Sequence, residues 1–230
     1  MGQDRAAALD AARTLLRQAE QRVGVTSHDP QPITATTPRT GGLELLLPTG
    51  LPTGAACTIT GSTTLLLMAL AAAQSAERWV AFVGMPALGM IAVHEAGIDL
   101  RRVAHIPDVA GNGTAVVAAL LDGVGHVVVG PACPLAPADR RRLLARARER
   151  DTTLVATYPW EGTALTLEAQ RTAWTGAERG DYWLREARWD VLRRSKADGP
   201  GARFTIHRGA AGELTVEQPA PGLRLVTGVA

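Results

Sequence analysis

Residues 50–74 read GLPTGAACTITGSTTLLLMALAAAQ. A loop flanked by Gly50 and Gly54 enters a short strand, Ala55 to Thr60. Gly61 follows, and Ser62 or Thr63 then caps a helix running to about Ser75. A strand that feeds a helix through so short a turn is the first half of a β-α unit. Repetition of that unit along the chain decides the fold class.

Downstream the unit repeats. Trp79 to Val83 predicts a buried strand and Met85 to Ala96 a helix. Val103 to Ile106 is a strand, and Thr114 to Leu121 a helix entered through Gly111, Asn112 and Gly113. His126 to Val129 is a continuous apolar strand. Ala138 to Glu149 is an arginine-rich helix, and Thr153 to Thr157 the strand after it. Apolar strands alternating with helices imply a mostly parallel sheet covered on both faces. After Pro159 the texture changes. Leu165 to Ala173, Trp183 to Leu192, Arg203 to Arg208 and Glu213 to Glu217 read as a meander. Gly176, Gly180, Asp198-Gly199 and Gly209 to Gly212 supply the turns. The expected class is therefore α/β with antiparallel C-terminal strands, occupying residues 43–230.

Upstream, residues 4–22 predict a separate N-terminal helix within 1–23. Leu9, Ala12, Leu16, Ala19 and Val23 draw a narrow apolar seam. Leu9 and Leu16 are its candidates for self-association, docking on the chain's own domain being the equal alternative. Residues 24–42, rich in Gly, Pro, Ser and Thr without periodicity, read as a linker.

Composition closes off several function classes. The chain has 230 residues, 46% of them hydrophobic and 20% charged, which permits a packed core. A net charge of +2 gives no electrostatic case for nucleic-acid binding. Cys57 and Cys133 are the only cysteines and form no CxxC pair, so neither a disulfide scaffold nor a zinc module is expected. No apolar run approaches the ~20 residues of a membrane span, and the N-terminus lacks the pattern of a signal peptide; a cytoplasmic location is expected. Lys196 is the sole lysine. His28, His94, His105, His126 and His207 show no metal-ligand spacing, and His105 and His126, within apolar strands, read as satisfied core residues. No metal or cofactor is expected.

The Gly50–Gln74 segment resembles the entry to the RecA-type ATPase core, where a GLPxG turn precedes the phosphate-binding strand. In that family the strand ends in a loop G-x-x-x-x-G-K-[ST], whose amides and lysine hold phosphates. Here Gly61 runs directly into Ser62, Thr63 and Thr64, so the cradle and its lysine are missing. The resemblance implies a magnesium-organising aspartate after Val127-Val128-Val129, where this chain has Gly130. It implies a water-activating glutamate just beyond WVAFVG, where Gly84, Met85 and Pro86 stand. Three losses in register imply a RecA-like fold that does not hydrolyse ATP. AVHEAGIDLRRVAHIPD (92–108) and ADRRRLLARARERDTTLVATYPW (138–160) extend the likeness, and PACPLAP (131–137) implies a trimmed DNA-contacting loop. The length, the N-terminal helix and the arginine- and tryptophan-bearing tail are similar to the ImuA and actinobacterial ImuA′ proteins. That group's role, as the resemblance implies, is to support translesion synthesis in SOS-induced mutagenesis, with a polymerase-like ImuB protein and an error-prone replicative-type polymerase. Nucleoid association on DNA damage goes with that role. SulA, a RecA-like division inhibitor, is the alternative.

Three segments remain as candidate binding sites. Ser62, Thr63 and Thr64 serve either as helix caps or as an anion site. The helix carrying Arg140, Arg141, Arg142, Arg146, Arg148 and Arg150 is either a solvated face or a contact for phosphates or an acidic partner. In the tail, Trp183, Arg185, Trp189, Arg193 and Arg194 are the candidate partner-binding residues. Alternation puts Trp183, Arg185, Ala187, Trp189 and Val191 on one face, which predicts a partly exposed aromatic and arginine surface. Asp181, Glu186 and Asp190 dilute its charge and favour a protein over DNA, with direct DNA contact left open.

Overall fold

Four short strands are buried at every or nearly every residue, and each needs cover on both faces. They are β1 (Ala56–Thr60), β2 (Val80–Val83), β4 (His126–Val129) and β5 (Thr153–Ala156). The structure, a computed structural model, describes residues 42–75, 77–175, 186–209 and 213–218. All of them belong to a unit spanning Thr36–Ala230. The expected N-terminal helix, with Leu9 and Leu16, and the linker up to Gly41 lie outside the described residues.

The sheet has nine strands in the order β3-β2-β4-β5-β1-β6-β7-β8-β9. The edge strand β3 spans Val103–Ile106; on the far side lie β6 (Leu165–Thr175), β7 (Glu186–Ser195), β8 (Ala202–Arg208) and β9 (Leu214–Glu217). Strands β1 to β6 pair in parallel, and β6 to β9 pair antiparallel. This is the expected parallel sheet ending in a meander. Strand β6 belongs to both parts, parallel to β1 on one side and antiparallel to β7 on the other.

Helices cover the two faces. On one lie α1 (Leu43–Leu46), α2 (Thr63–Ala73) and α3 (Met90–Glu95), whose Leu43, Leu46, Leu65 to Ala71 and Val93 pack on Cys57, Ile59 and Phe82. On the other lie α4 (Gly113–Leu121) and α5 (Pro137–Glu149), whose Val117, Leu121, Leu143, Leu144 and Ala147 pack on Ala56, Val127 and Leu154. Helix α2 is apolar on nearly all sides and is buried accordingly. Helix α5 has one apolar stripe, Pro137 at its first turn, Asp139 at its positive end and Arg146 and Arg148 at its negative end.

Most element ends shift by one to three residues, and two departures are larger. The helix expected from Met85 begins only at Met90, with Gly89 at its N-cap. The chain makes a turn there instead, with the Leu88 N–H donating to the Met85 carbonyl at 3.1 Å. Helix α1 has no counterpart in the sequence reading. Its four residues are too few to show a helical period, and burial of Leu43 and Leu46 holds it in place.

Candidate functional site

Only Gly61 and Ser62 separate β1 from α2. Gly61 takes φ 82°, and a Cβ there would collide with the Ala169 carbonyl oxygen of β6. Both features demand glycine. The Ser62 hydroxyl accepts the Leu65 N–H at 3.2 Å, so it caps the helix, and Thr63 and Thr64 fall in the first helical turn. The cap takes up the Leu65 N–H and leaves the Ser62 O–H to donate, so it does not by itself decide against the anion-site alternative.

The ends of β2 and β4 are pressed together beside this turn. The Gly130 N–H donates to the Val83 carbonyl at 2.7 Å, and the Ala132 N–H to the Gly84 carbonyl at 3.0 Å. A Cβ on Gly84 would sit 2.5 Å from the Cys133 nitrogen, and one on Gly130 would strike Met85 Cγ and the Gly84 carbonyl. Neither position has room for a carboxylate. Between this closure and α2 lies a cleft of ≈ 440 Å³ at the carboxyl ends of the parallel strands, where open α/β sheets place ligands. Ile59, Leu66, Met85, Leu88 and Pro131 supply apolar wall, and Thr60, Ser62, Thr63 and Thr157 supply hydroxyls. Among the described residues no charged one lines it.

The tail residues separate in the structure. Trp183 and Arg185 lie outside the described residues. Trp189 is 0% exposed, between Ala187 and Val191 on the inner face of β7, with Trp174 against it edge-on at 5.8 Å. The expectation of a partly exposed Trp189 is therefore corrected. The inner face continues the core past β1, so the ring is covered, and its Nε1 has no acceptor. Arg193 is also turned to the fold. Its guanidinium donates to Asp198 at 2.6 Å and to the Leu45 and Leu46 carbonyls at 3.2 and 2.8 Å, and lies 4.8 Å from the Phe204 ring centre. The arginine and the hydroxyl of Ser195 hold the Asp198 carboxyl below the usual carboxylate range. Arg194, half-exposed beside Glu168 at 3.1 Å, remains accessible. The sequence reading missed the role of Asp198; Ser195-x-x-Asp198-Gly199 carries a turn signal whose aspartate, placed beside Arg193, is the only hint of it.

The arginine helix is mostly engaged with its own fold. Arg140 lies over Tyr158 and Trp160, 5.0 and 5.4 Å from their ring centres, and donates to the Leu135 and Pro159 carbonyls. Arg146 and Arg150 share Asp122, and Arg142 approaches Asp139 at 3.8 Å. Arg141 and Arg148 are exposed. That arrangement favours the solvated face over a phosphate track.

Among the described residues no three His, Cys, Asp or Glu side chains group as a metal site. His105 Nε2 meets the Met85 carbonyl at 3.0 Å from a half-buried position. His126 is buried, with Nε2 3.3 Å from the Ala73 carbonyl, but its Nδ1 has no partner, so it is satisfied on one side only. Burial pushes its pKa down, with Arg78 adding to the effect. Burial alone pushes the Cys57 thiol up to about 12 and raises Cys133. No helix among the described residues is long and apolar enough to cross a membrane.

A family model described as the MT3502 N-terminal domain matches residues 44–162, which takes in β1 to β5, the cleft and both helical layers. The chain is also 37% identical over 134 residues to "Uncharacterized protein Rv3395c" of Mycobacterium tuberculosis. That alignment covers 57% of this chain and 66% of the relative.

Proposed function

The chain belongs to the MT3502 N-terminal domain family, and from the resemblance of its Gly50–Gln74 segment to the RecA core we propose that it is a non-catalytic adaptor built on a RecA-like core. In this reading it serves SOS-induced mutagenesis by binding an ImuB-type polymerase-like protein and supporting an error-prone replicative-type polymerase. It works in the cytoplasm, at the nucleoid when DNA is damaged.

One observation carries the non-catalytic half of the reading. At Gly130, where the RecA resemblance expects an aspartate, a side chain would meet Met85 and the Gly84 carbonyl, and at Gly84, the first of the three residues where it expects a glutamate, a side chain would meet Ala132 and Cys133. The cleft residues do not fit a nucleotide triphosphate with its magnesium. Phosphates need an amide cradle and cations, whereas the turn here is two residues long and the lining holds no charge. With chemistry unsupported, the activity falls to binding surfaces, which is what an adaptor requires.

The test has two arms. The full chain is titrated with ATP and Mg²⁺, and separately mixed with an ImuB-type protein and with a division protein of the kind SulA blocks. No saturable ATP binding, together with a complex containing only the ImuB-type protein, is expected. Magnesium-dependent ATP binding that Thr63→Ala abolishes would refute the non-catalytic reading. A complex with the division protein alone would replace the adaptor by the inhibitor.

A further inference from the structure

Strand β6 is longer than the strand beside it. Its residues Leu165 to Glu168 pair with Cys57 to Thr60 of β1, and there β1 ends. Strand β6 runs on to Thr175, and β7 follows it to the end, pairing Thr175 with Glu186. On the other side, Arg171 to Thr175 have no neighbouring strand among the described residues. A register shift between Ala169 and Arg171 marks where the extension begins. Each residue of such an edge carries main-chain donors and acceptors, half of which point away from the strand it already pairs with. Proteins usually blunt an open edge with Pro, charged side chains or a covering loop; here Arg171 is the one charge, and Thr172 to Thr175 carry neither charge nor Pro and include strong strand formers. Trp174 on this stretch is 38% exposed.

The position that no described residue fills continues the line of β1. A strand laid against Arg171–Thr175 at the normal spacing of ~4.8 Å would stand directly beyond Thr60 and Gly61. Gly61 already touches Ala169, the last residue before the extension. Gly61, Ser62 and Thr63 are also one wall of the ≈ 440 Å³ cleft. The open edge and the cleft therefore adjoin at the end of β1. The edge asks for an extended main chain, and the uncharged, largely apolar cleft asks for an uncharged side chain.

The geometry points to a docking slot for an extended segment of a protein partner, added as a strand to Arg171–Thr175 and anchored by an apolar side chain in the cleft at Gly61–Thr63 and Met85–Leu88. A basic or acidic segment fits poorly, because no residue of the cleft would pair with its charge. This rests on the adaptor reading and names where the partner binds. The shortened β1–α2 turn gains a purpose on this view, since a long phosphate loop would occupy the same space.

The test uses the full chain and a purified ImuB-type protein. Amide hydrogen exchange is measured on the free chain and on the complex. Binding is then compared for wild type, Thr63→Arg and Ala87→Glu, which place a charge in the cleft from exposed positions and spare the core. Amides of residues 171–175 are expected to gain protection in the complex, and each variant to bind about tenfold or more weakly at an unchanged denaturation midpoint. A complex formed at full affinity by both variants, with exchange at 171–175 unaltered, overturns the slot and leaves the adaptor standing. Absence of any complex with the wild-type chain overturns both.

Discussion

Arg193→Ala tests whether that arginine belongs to the fold or to a partner surface. Its side chain is 15% exposed and that of Asp198 5%, so the pair is nearly out of water. Removing the arginine leaves the carboxylate with the Ser195 hydroxyl at 2.7 Å as its remaining side-chain partner and frees the Leu45 and Leu46 carbonyls at the end of α1. Breaking one side of a buried pair costs roughly 3–5 kcal/mol. The retained hydroxyl and the proximity of solvent place this case at the lower end, about 3 kcal/mol. For a domain of this size that lowers the melting temperature by about 6–12 °C. The double variant Arg193→Met with Asp198→Leu should recover most of the loss, since an apolar pair of similar volume leaves no orphaned charge. Thermal melts of wild type, Arg193→Ala and the double variant at neutral pH read the effect. The pair also has a pH signature. The folded pKa of Asp198 is depressed, so its contribution is complete above the unfolded value of about 3.9 and is lost as pH falls through the lower folded value. Arg193→Ala should remove that acid-limb slope. A variant that melts with wild type, or one that melts with it and loses only partner binding, would refute the structural assignment.

Arg194→Ala, by contrast, removes a half-exposed pair with Glu168 and should cost under ~1 kcal/mol, so denaturation midpoints will barely move and the variant suits partner-binding assays. His126 has its pKa lowered by burial; stability held above about pH 6.5 should decline as pH falls below it, and His126→Phe should flatten that slope in melts between pH 7 and 5. Gly130→Asp, which places an acid where the ATPase resemblance expects one, should lower stability by at least ~2 kcal/mol and yield no magnesium-dependent ATP turnover, because the side chain meets Met85 and the Gly84 carbonyl. Cys57 should resist alkylation at pH 8 in the native chain and react on unfolding, as mass spectrometry after iodoacetamide treatment will read.

Much of the architecture was legible from local pattern. Four-residue apolar runs such as Val80–Val83 and Thr153–Ala156 need two covered faces, and the intervening helices supply them, so a parallel core follows from period and composition alone. The meander was legible from glycine-marked turns, since a turn's backbone demand is local. The missing phosphate loop could be read directly, because a two-residue connection leaves no space for one. The helix expected from Met85 starts at Met90, because an apolar pattern marks a helix without fixing its first residue, and the Gly84 carbonyl is tied to the Ala132 N–H beyond β4.

What tertiary structure decided is the surroundings of each side chain. Alternation placed Trp189 and Ala187 on one face of β7, but whether that face meets solvent or core depends on which layer lies over it. Arg193 looked like surface chemistry in sequence and is held inside by Asp198 and by carbonyls of a helix some 147 residues away. The closure of Gly84 on Gly130 and the open edge of β6 have no sequence signature, because they arise from strand order and from the unequal lengths of neighbouring strands. Period and turn chemistry act over a few residues and so are written in the chain. Burial, pairing and free edges are properties of residues far apart in sequence, and only the assembled sheet brings them together.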